Sequence, residues 1–301
     1  MKIGIIVPQG WTGEYDGWDP SSAWSRTRDV AWQAEALGFE SIWLFDHFHT
    51  IPQPRNEITF EAFTTLSALA TETRRVRLGH VVLCAAYRNP ALTAKMISTL
   101  DVISGGRMEL GIGAGWKRDE WLAYGYGFPS ARERLAILKD QLEVISAMMG
   151  EGPATYRGEH HHVEGAINRP LPLQRPRVPI MVGGNGPNVT WRLAARYADE
   201  LNLDGMTPGE AGRALPVIRQ RCEEIGRDPA TLAVSAHLWT EHVAEAGSRR
   251  VDLVAAYREL GVSRLIALLG ASADSDEALP AWAEDARTGG AELAESHALG
   301  A

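Results

Sequence analysis

Glu40-Ser-Ile-Trp-Leu-Phe-Asp-His-Phe-His49 is the stretch from which the rest of the chain can be laid out. Ser41 to Phe45 reads as a short apolar strand that stops at two titratable side chains, Asp46 and His47. Before it, Ser21 or Ser22 is placed to cap a helix with Trp24, Thr27, Ala31 and Ala34 on its apolar side and Gly38 as its stop. After it, Thr59 to Ala70 reads as a second helix, with Phe63, Leu66 and Ala70 on one side. A strand set between helices is the unit of a parallel sheet, and such sheets build their sites at the carboxyl ends of the strands. His47 therefore stands at a catalytic address, and histidine trades protons near neutral pH.

The same alternation runs outward in both directions. Lys2 to Val7 is a β-branched strand, and Val76 to Leu83 an apolar strand interrupted only by Gly79 and His80. Asn89-Pro90 opens a helix carrying Leu92, Met96, Leu100 and Ile103. Arg107 to Ile112 is a strand running into Gly113-Ala114-Gly115-Trp116, and a loop of aromatics and glycines follows. Ser130 and Glu133 form a capping box for a helix with Leu135, Leu138, Leu142, Ile145 and Met149. Residues 151–178 break the rhythm as an insertion, a hairpin about Gly158 and then a proline-dense extended segment. Strands resume at Pro179–Val182, Glu200–Leu203, Leu232–Leu238 and Arg264–Leu269, each followed by a helix. Pro216 is expected to kink or split the helix that carries Ala211, Leu215, Ile218, Cys222 and Ile225. Eight strand–helix pairs within 301 residues predict one (β/α)₈ barrel domain with an insertion between strands four and five. A small-residue tail, 290–301, is expected to fray.

Composition narrows the function. A formal charge of −8 without dense basic runs argues against nucleic acid. Cys84 and Cys222 are too few for a disulfide framework or a thiolate zinc site. No apolar run reaches the roughly 20 residues that cross a bilayer, and the first strand lacks the features of a signal peptide. A cytoplasmic protein, bound neither to membrane nor to nucleic acid, is expected. No metal is expected either, since successive residues on a strand face opposite ways and His160-His161-His162 cannot chelate together.

The predicted barrel places Asp46 and His47, Leu83 and Cys84, Gly113 to Trp116, Gly183 to Gly186, Asp204, and His237 with Trp239 on one rim. Gly183-Gly184-Asn185-Gly186, set between strand and helix, is suited to phosphate, since free amides and the helix dipole favour an anion. Gly111-Ile-Gly-Ala-Gly115 lacks the third glycine of a dinucleotide fingerprint, for Trp116 stands there. A flat ring lying across that loop is expected instead. Cys84 reads as a buried core thiol.

Trp43-Leu-Phe-Asp46-His47, Tyr87-Arg-Asn-Pro90, Leu100-Asp-Val-Ile-Ser-Gly-Gly-Arg107 with Leu110-Gly-Ile-Gly-Ala-Gly115, and Pro179-Ile-Met-Val-Gly-Gly184 with Leu193-Ala-Ala-Arg-Tyr-Ala198 together resemble the bacterial-luciferase-like monooxygenase superfamily. The likeness is nearest to its branch dependent on the deazaflavin coenzyme F420, and it covers about residues 2–270. It implies a (β/α)₈ barrel, usually a homodimer, with a cofactor ring at the carboxyl rim and hydride transfer to or from a small organic substrate. By position, it makes His47 the proton-handling residue and puts Asp46 against the ring or its side chain. The resemblance further implies that Leu83 and Cys84 fall near a strand-three bulge whose cis peptide would back the ring, that Gly113, Ala114, Gly115 and Trp116 would lie against it, and that Gly183, Gly184, Asn185, Gly186 and Thr190 would hold the phosphate. Arg88, Lys117 and Arg118 would line an exit groove for a polyglutamate tail.

Two departures bear on chemistry. Trp116 stands where the family's dehydrogenases carry a glutamate, which puts a sugar-phosphate or simple alcohol substrate in doubt; Asp119 and Glu120 are substitutes within reach. Ala114 replaces the arginine of luciferase itself, which weakens light-emitting FMN chemistry. The alternatives are an FMN-dependent two-component monooxygenase, served by a separate reductase, and a non-catalytic flavin-binding protein. Trp11, Trp18, Phe48, Trp121 and Tyr126 suggest a roomy, aromatic-walled pocket.

Overall fold

Short β-branched runs alternating with helices bury both faces of a parallel sheet, and here the sheet closes on itself. The computed structural model describes residues 1–295. In chain order, β1 (Lys2–Ile6), α1 (Pro20–Leu37), β2 (Ser41–Leu44), α2 (Ala62–Glu72), β3 (Arg77–His80), β4 (Leu83–Cys84), α3 (Pro90–Ile103) and β5 (Met108–Gly113) make the first half. A short α4 (Arg118–Ala123), the long α5 (Ala131–Met148) and the hairpin of β6 (Ala154–Arg157) and β7 (His162–Ala166) come next. The second half is β8 (Ile180–Gly183), α6 (Thr190–Tyr197), β9 (Glu200–Asp204), α7 (Pro208–Glu223), β10 (Ala233–Leu238), α8 (Ser248–Glu259), β11 (Arg264–Leu268) and α9 (Ala278–Thr288). The strands follow the order β3-β2-β1-β11-β10-β9-β8-β5-β4, and β3 also pairs with β5 to close the ring. Because β3 and β4 share one position, the barrel has eight staves, as expected for a (β/α)₈ fold.

The third stave departs from the expected continuous strand. Gly79 pairs with Glu109 and Leu83 with Ile112, so β3–β4 uses one residue more than β5 over the same rise. That extra residue is a bulge, and the Val81–Val82 peptide within it is cis. The cis bond thus lies just before Leu83 and Cys84.

Two cores result. Helices and outer sheet faces bury the larger one. The barrel interior holds Ile6, Trp43, Phe45, Val81, Met181, Ile266 and Leu268. Trp43 fills the lower interior because Gly4 and Gly79 leave room; a Cβ on Gly79 would lie 2.3 Å from the Trp43 ring, which explains the glycine inside an otherwise apolar strand. Beneath Trp43, Arg264 holds Glu109 in a two-pronged bond of 2.7 and 3.1 Å and also reaches Glu40 at 3.2 Å. This closes the amino-terminal end with charge that is paired rather than exposed.

Local departures have local causes. Asp19, not Ser21 or Ser22, caps α1, accepting from the Ser22 amide at 3.0 Å with Pro20 in the first helical position. On α3, Leu92 and Ile103 face outward, while Thr93, Ala94, Ile97, Ser98 and Asp101 face the sheet. There Asp101 accepts from the Leu173 and Gln174 amides and pins the insertion. Pro216 does not split α7. It sits on the solvent side, where water can take the freed carbonyl while buried Leu215 and Ile218 hold the helix down. In the insertion, Asp140 accepts from the His160 and His161 amides and the Tyr156 hydroxyl. The histidine run is therefore a hairpin turn tied to α5. Of the expected frayed tail, residues 296–301 lie outside the described residues, while Glu292 pairs with Lys2 in a short bridge. Among the described residues no helix is long and apolar enough to cross a membrane, and no cluster of His, Cys, Asp or Glu is arranged to hold a metal.

Candidate active site

At the carboxyl rim the strand ends enclose a cavity of about 240 Å³. Its wall brings together Asp46, His47, Leu83, Cys84, Gly113, Ala114, Gly115, Trp116, Gly183, Gly184 and Thr190. The strands end there because parallel staves of similar length start from a common floor, so residues distant in sequence share one rim. Asn185 and Gly186 do not reach the wall. Asn185 instead donates from Nδ2 to the Asp204 carbonyl at 2.7 Å and accepts from the Asp204 amide at 2.9 Å, which locks the β8–α6 loop to the end of β9.

His47 is held from three sides. Its Nδ1 is 2.8 Å from Glu120 Oε2, and its ring lies parallel to Trp11 at 4.0 Å between centroids. The Trp116 ring meets it edge-on at 5.9 Å. Glu120 is wholly buried and accepts also from the Phe48 amide at 2.6 Å and the Tyr87 hydroxyl at 2.9 Å. Burial alone would raise this carboxyl, but the hydrogen bond and charge of His47, with the Phe48 and Tyr87 donors, hold it below the ordinary glutamate range. An ionised carboxylate only accepts, so Nδ1 carries a proton and Nε2 is left to the cavity. Glu120 lies on α4, a helix unexpected within the loop of aromatics and glycines. Lys117, which leads into it, has no capping side chain, and the six-residue helix leaves little periodicity to read.

Asp46 is differently engaged than expected. Its Oδ2 accepts from the Cys84 amide and from Arg88, both at 2.8 Å, and its Oδ1 from Arg88 at 2.9 Å. Arg88 also binds Glu61 at 2.7 Å. The Asp46 carboxylate therefore fixes the bulge to the second strand end. Arg88, expected in a tail groove, is consumed by this pairing, and Lys117 is held by Asp119 at 2.9 Å. Burial pushes the Cys84 thiol well above the usual range, as a core thiol requires.

The glycines also have another reason than the expected ring. A Cβ on Gly113 or on Gly183 would lie 2.8 Å from a Val82 methyl, and one on Gly115 would lie 2.5 Å from Cys84 Sγ. They admit the bulge side chains, and the bulge in turn forms the back of the cavity through Val81 and Val82. Nothing in the sequence marks these two valines, because their run reads as ordinary strand.

On the β9–β10 side the wall is polar. Asn202, Asp204, His237 and Trp239 line it. Trp239 donates to Asp204 Oδ1 at 2.7 Å and stacks on Phe45 at 5.4 Å. Partial burial would raise Asp204, yet the charge of the nearby His237 and the hydrogen bond from Trp239 hold its carboxyl below the usual range.

Residues 1–300 fit the family described as luciferase-like monooxygenase. The chain belongs to that family. Among its curated relatives, the F420-dependent glucose-6-phosphate dehydrogenase of Kineococcus radiotolerans is 36% identical over 208 residues, 66% of this chain and 58% of that protein. The Microbacterium testaceum enzyme of the same name is 35% identical over 197 residues, 64% and 57% respectively. The luciferase-like chain thus covers somewhat under three fifths of these relatives. Among solved structures, an F420-dependent secondary alcohol dehydrogenase in complex with an F420–acetone adduct superposes with a TM-score of 0.78 at 20% identity, over 93% of this chain and 98% of that one. A monooxygenase from Streptomyces bottropensis gives 0.74 at 21%, over 95% and 98%. At such identity these two likenesses carry the barrel fold of the luciferase-like proteins, in agreement with the closed sheet.

Proposed function

We propose that this protein is an oxidoreductase that exchanges a hydride between the deazaflavin ring of coenzyme F420 and a small organic substrate, with His47 moving the accompanying proton. The observation that carries this reading is the His47–Glu120 pair. A buried carboxylate fixes the tautomer, and Nε2 faces a cavity backed by the Val81–Val82 bulge. The names of the curated relatives support the choice of cofactor.

The residues present fit such a group. α6 begins without a side-chain cap, and although the Trp191 amide donates to the Gly186 carbonyl, the Thr190 amide and hydroxyl at the helix start suit a phosphate. Val81, Val82, Leu83, Ala114 and Trp116 offer a largely apolar bed for a flat ring. When bound, the deazaflavin supplies a two-electron hydride donor or acceptor. The chain's own part is to bind and orient. Asp46 and Arg88 hold the bulge, Trp11 and Glu120 hold the imidazole, and Nε2 gives a proton to, or takes one from, the substrate oxygen or nitrogen at the carbon that gains or loses hydride. A proton so placed is worth about 10²–10⁴ in rate.

A second reading keeps the site and takes FMN, with oxygen as co-substrate and a separate reductase as partner. The commitment of Arg88 and Lys117 to carboxylates favours it, because two of the three cations expected along a polyglutamate tail are occupied. A non-catalytic flavin binder has no use for a buried carboxylate that fixes a histidine tautomer. The reading includes a homodimer, supported by the apolar strip of Leu92, Val102 and Ile103 exposed on α3, and a cytoplasmic location.

Fluorescence titration of the purified protein with F420 and with FMN tests the cofactor. The expected result is saturable binding of F420 at least about tenfold tighter than FMN, roughly the 1.4 kcal/mol of one good extra contact. Tighter FMN binding selects the second reading, and no binding of either sinks both.

A further inference from the structure

The proton chemistry at His47 leaves the β9–β10 side of the cavity unused. β10 is separated from β2 by β11 and β1 in the sheet, so His237 belongs to another wall than His47. Asn202 donates from Nδ2 to Ser235 Oγ at 2.8 Å, which turns its Oδ1 toward His237 Nδ1, also at 2.8 Å. That fixed acceptor places the proton on Nδ1. His237 is 6% exposed, and its Nε2 lies 3.1 Å from Asp204 Oδ1 but outside hydrogen-bond geometry, so this buried nitrogen has no hydrogen-bond partner among the described residues. Asp204 Oδ1 is also the acceptor for Trp239, while Oδ2 has no protein partner among the described residues.

Charge in the cavity is equally selective. Among the described residues Lys117 is the one lysine or arginine on the wall, and Asp119 holds it. Asp204 therefore faces the cavity with no guanidinium or ammonium beside it. A phosphorylated ligand, carrying about −1.5 to −2 charge at neutral pH, would meet a carboxylate here and no free cation. A hydroxyl or N–H would meet an open acceptor. Phe45, Trp116 and Trp239 give the same space flat apolar walls.

We propose that Asp204, backed by His237, is the polar anchor for the substrate, and that this substrate is a non-anionic ring compound presenting a hydroxyl or N–H donor. This rests on the oxidoreductase reading above for the role of the ligand. It separates the chain from its curated relatives, whose named substrate is glucose 6-phosphate.

The test uses calorimetry on the cofactor-loaded protein with four probes: 2-naphthol, its methyl ether, 2-naphthoate and glucose 6-phosphate. In the wild type, 2-naphthol should bind at least about tenfold tighter than the ether or the naphthoate, as one charge-assisted hydrogen bond predicts, and glucose 6-phosphate should not bind. Asp204→Asn keeps an oxygen for Trp239 and leaves the backbone bonds to Asn185 in place. In that variant the naphthol preference should fall below about threefold, under half the wild-type free-energy difference, with cofactor affinity unchanged. Binding or oxidation of glucose 6-phosphate, equal binding of naphthol and ether, no naphthol binding, or an unaltered preference in the variant overturns the proposal. So does a variant that loses cofactor affinity together with the preference, since Asp204 would then act on the fold of the rim. The cofactor titration is read separately. If wild-type protein binds neither F420 nor FMN, the oxidoreductase reading fails, while probe selectivity of the unloaded protein still judges the anchor.

Discussion

His47 Nδ1 lies 2.8 Å from Glu120 Oε2, across 73 residues of sequence. The bond joins the end of β2 to α4 and makes one unit of two groups that sequence reading keeps apart. Its consequence is directional, because a carboxylate holding Nδ1–H leaves Nε2 as the nitrogen that meets the ligand.

Removing the imidazole should separate chemistry from binding. His47→Ala is expected to lower kcat by about 10²–10⁴, the usual worth of a positioned acid–base group, with cofactor affinity within about twofold because the phosphate is held elsewhere. Single-turnover measurement beside a fluorescence titration checks this, and unchanged turnover would remove His47 from the mechanism.

Glu120→Gln should act through His47. The amide can still accept at Nδ1 but no longer places a negative charge beside the imidazole, so kcat is expected to fall about 10- to 100-fold with little change in KM. The stability effect has a defined sign. Glu120 is lowered in the folded state from an ordinary value of 4.5, so its contribution is fully present above that value and is lost as pH falls through the lowered one. Wild type should therefore lose its melting-temperature advantage over Glu120→Gln on acidification below about pH 4.5. A constant difference down to pH 3, seen by scanning calorimetry, would mean that the carboxylate is not ionised in the fold.

The bulge offers a steric test. Gly183→Ala places a methyl 2.8 Å from Val82 Cγ1, and overpacking of this kind costs about 1–3 kcal/mol. The single variant should unfold at lower denaturant and bind cofactor more weakly. Adding Val82→Ala removes the opposing methyls and should restore at least about half of the lost stability, as expected for coupled neighbours. Additive losses in the double variant would show that Val82 and Gly183 do not share this space.

Much of the molecule was legible in the chain because periodicity and punctuation are local. The strand ends at Asp46, Gly113 and Gly183, the Asn89 cap and the Ser130–Glu133 box all come from residues within a turn of one another. Their alternation determined an eight-stave barrel, and the barrel determined that His47 and Thr190 share a rim. What local pattern could not carry was decided by packing across the barrel. Asp46 spends its carboxylate on Arg88 and the Cys84 amide, Glu120 reaches His47 from a six-residue helix, and Asp204 meets His237 from a neighbouring stave. Hydrogen bonds form between atoms about 3 Å apart whatever their separation in sequence, so sequence determined which groups stand at the rim, and only the closed tertiary structure decided which of them are spent on one another and which are left to face a ligand.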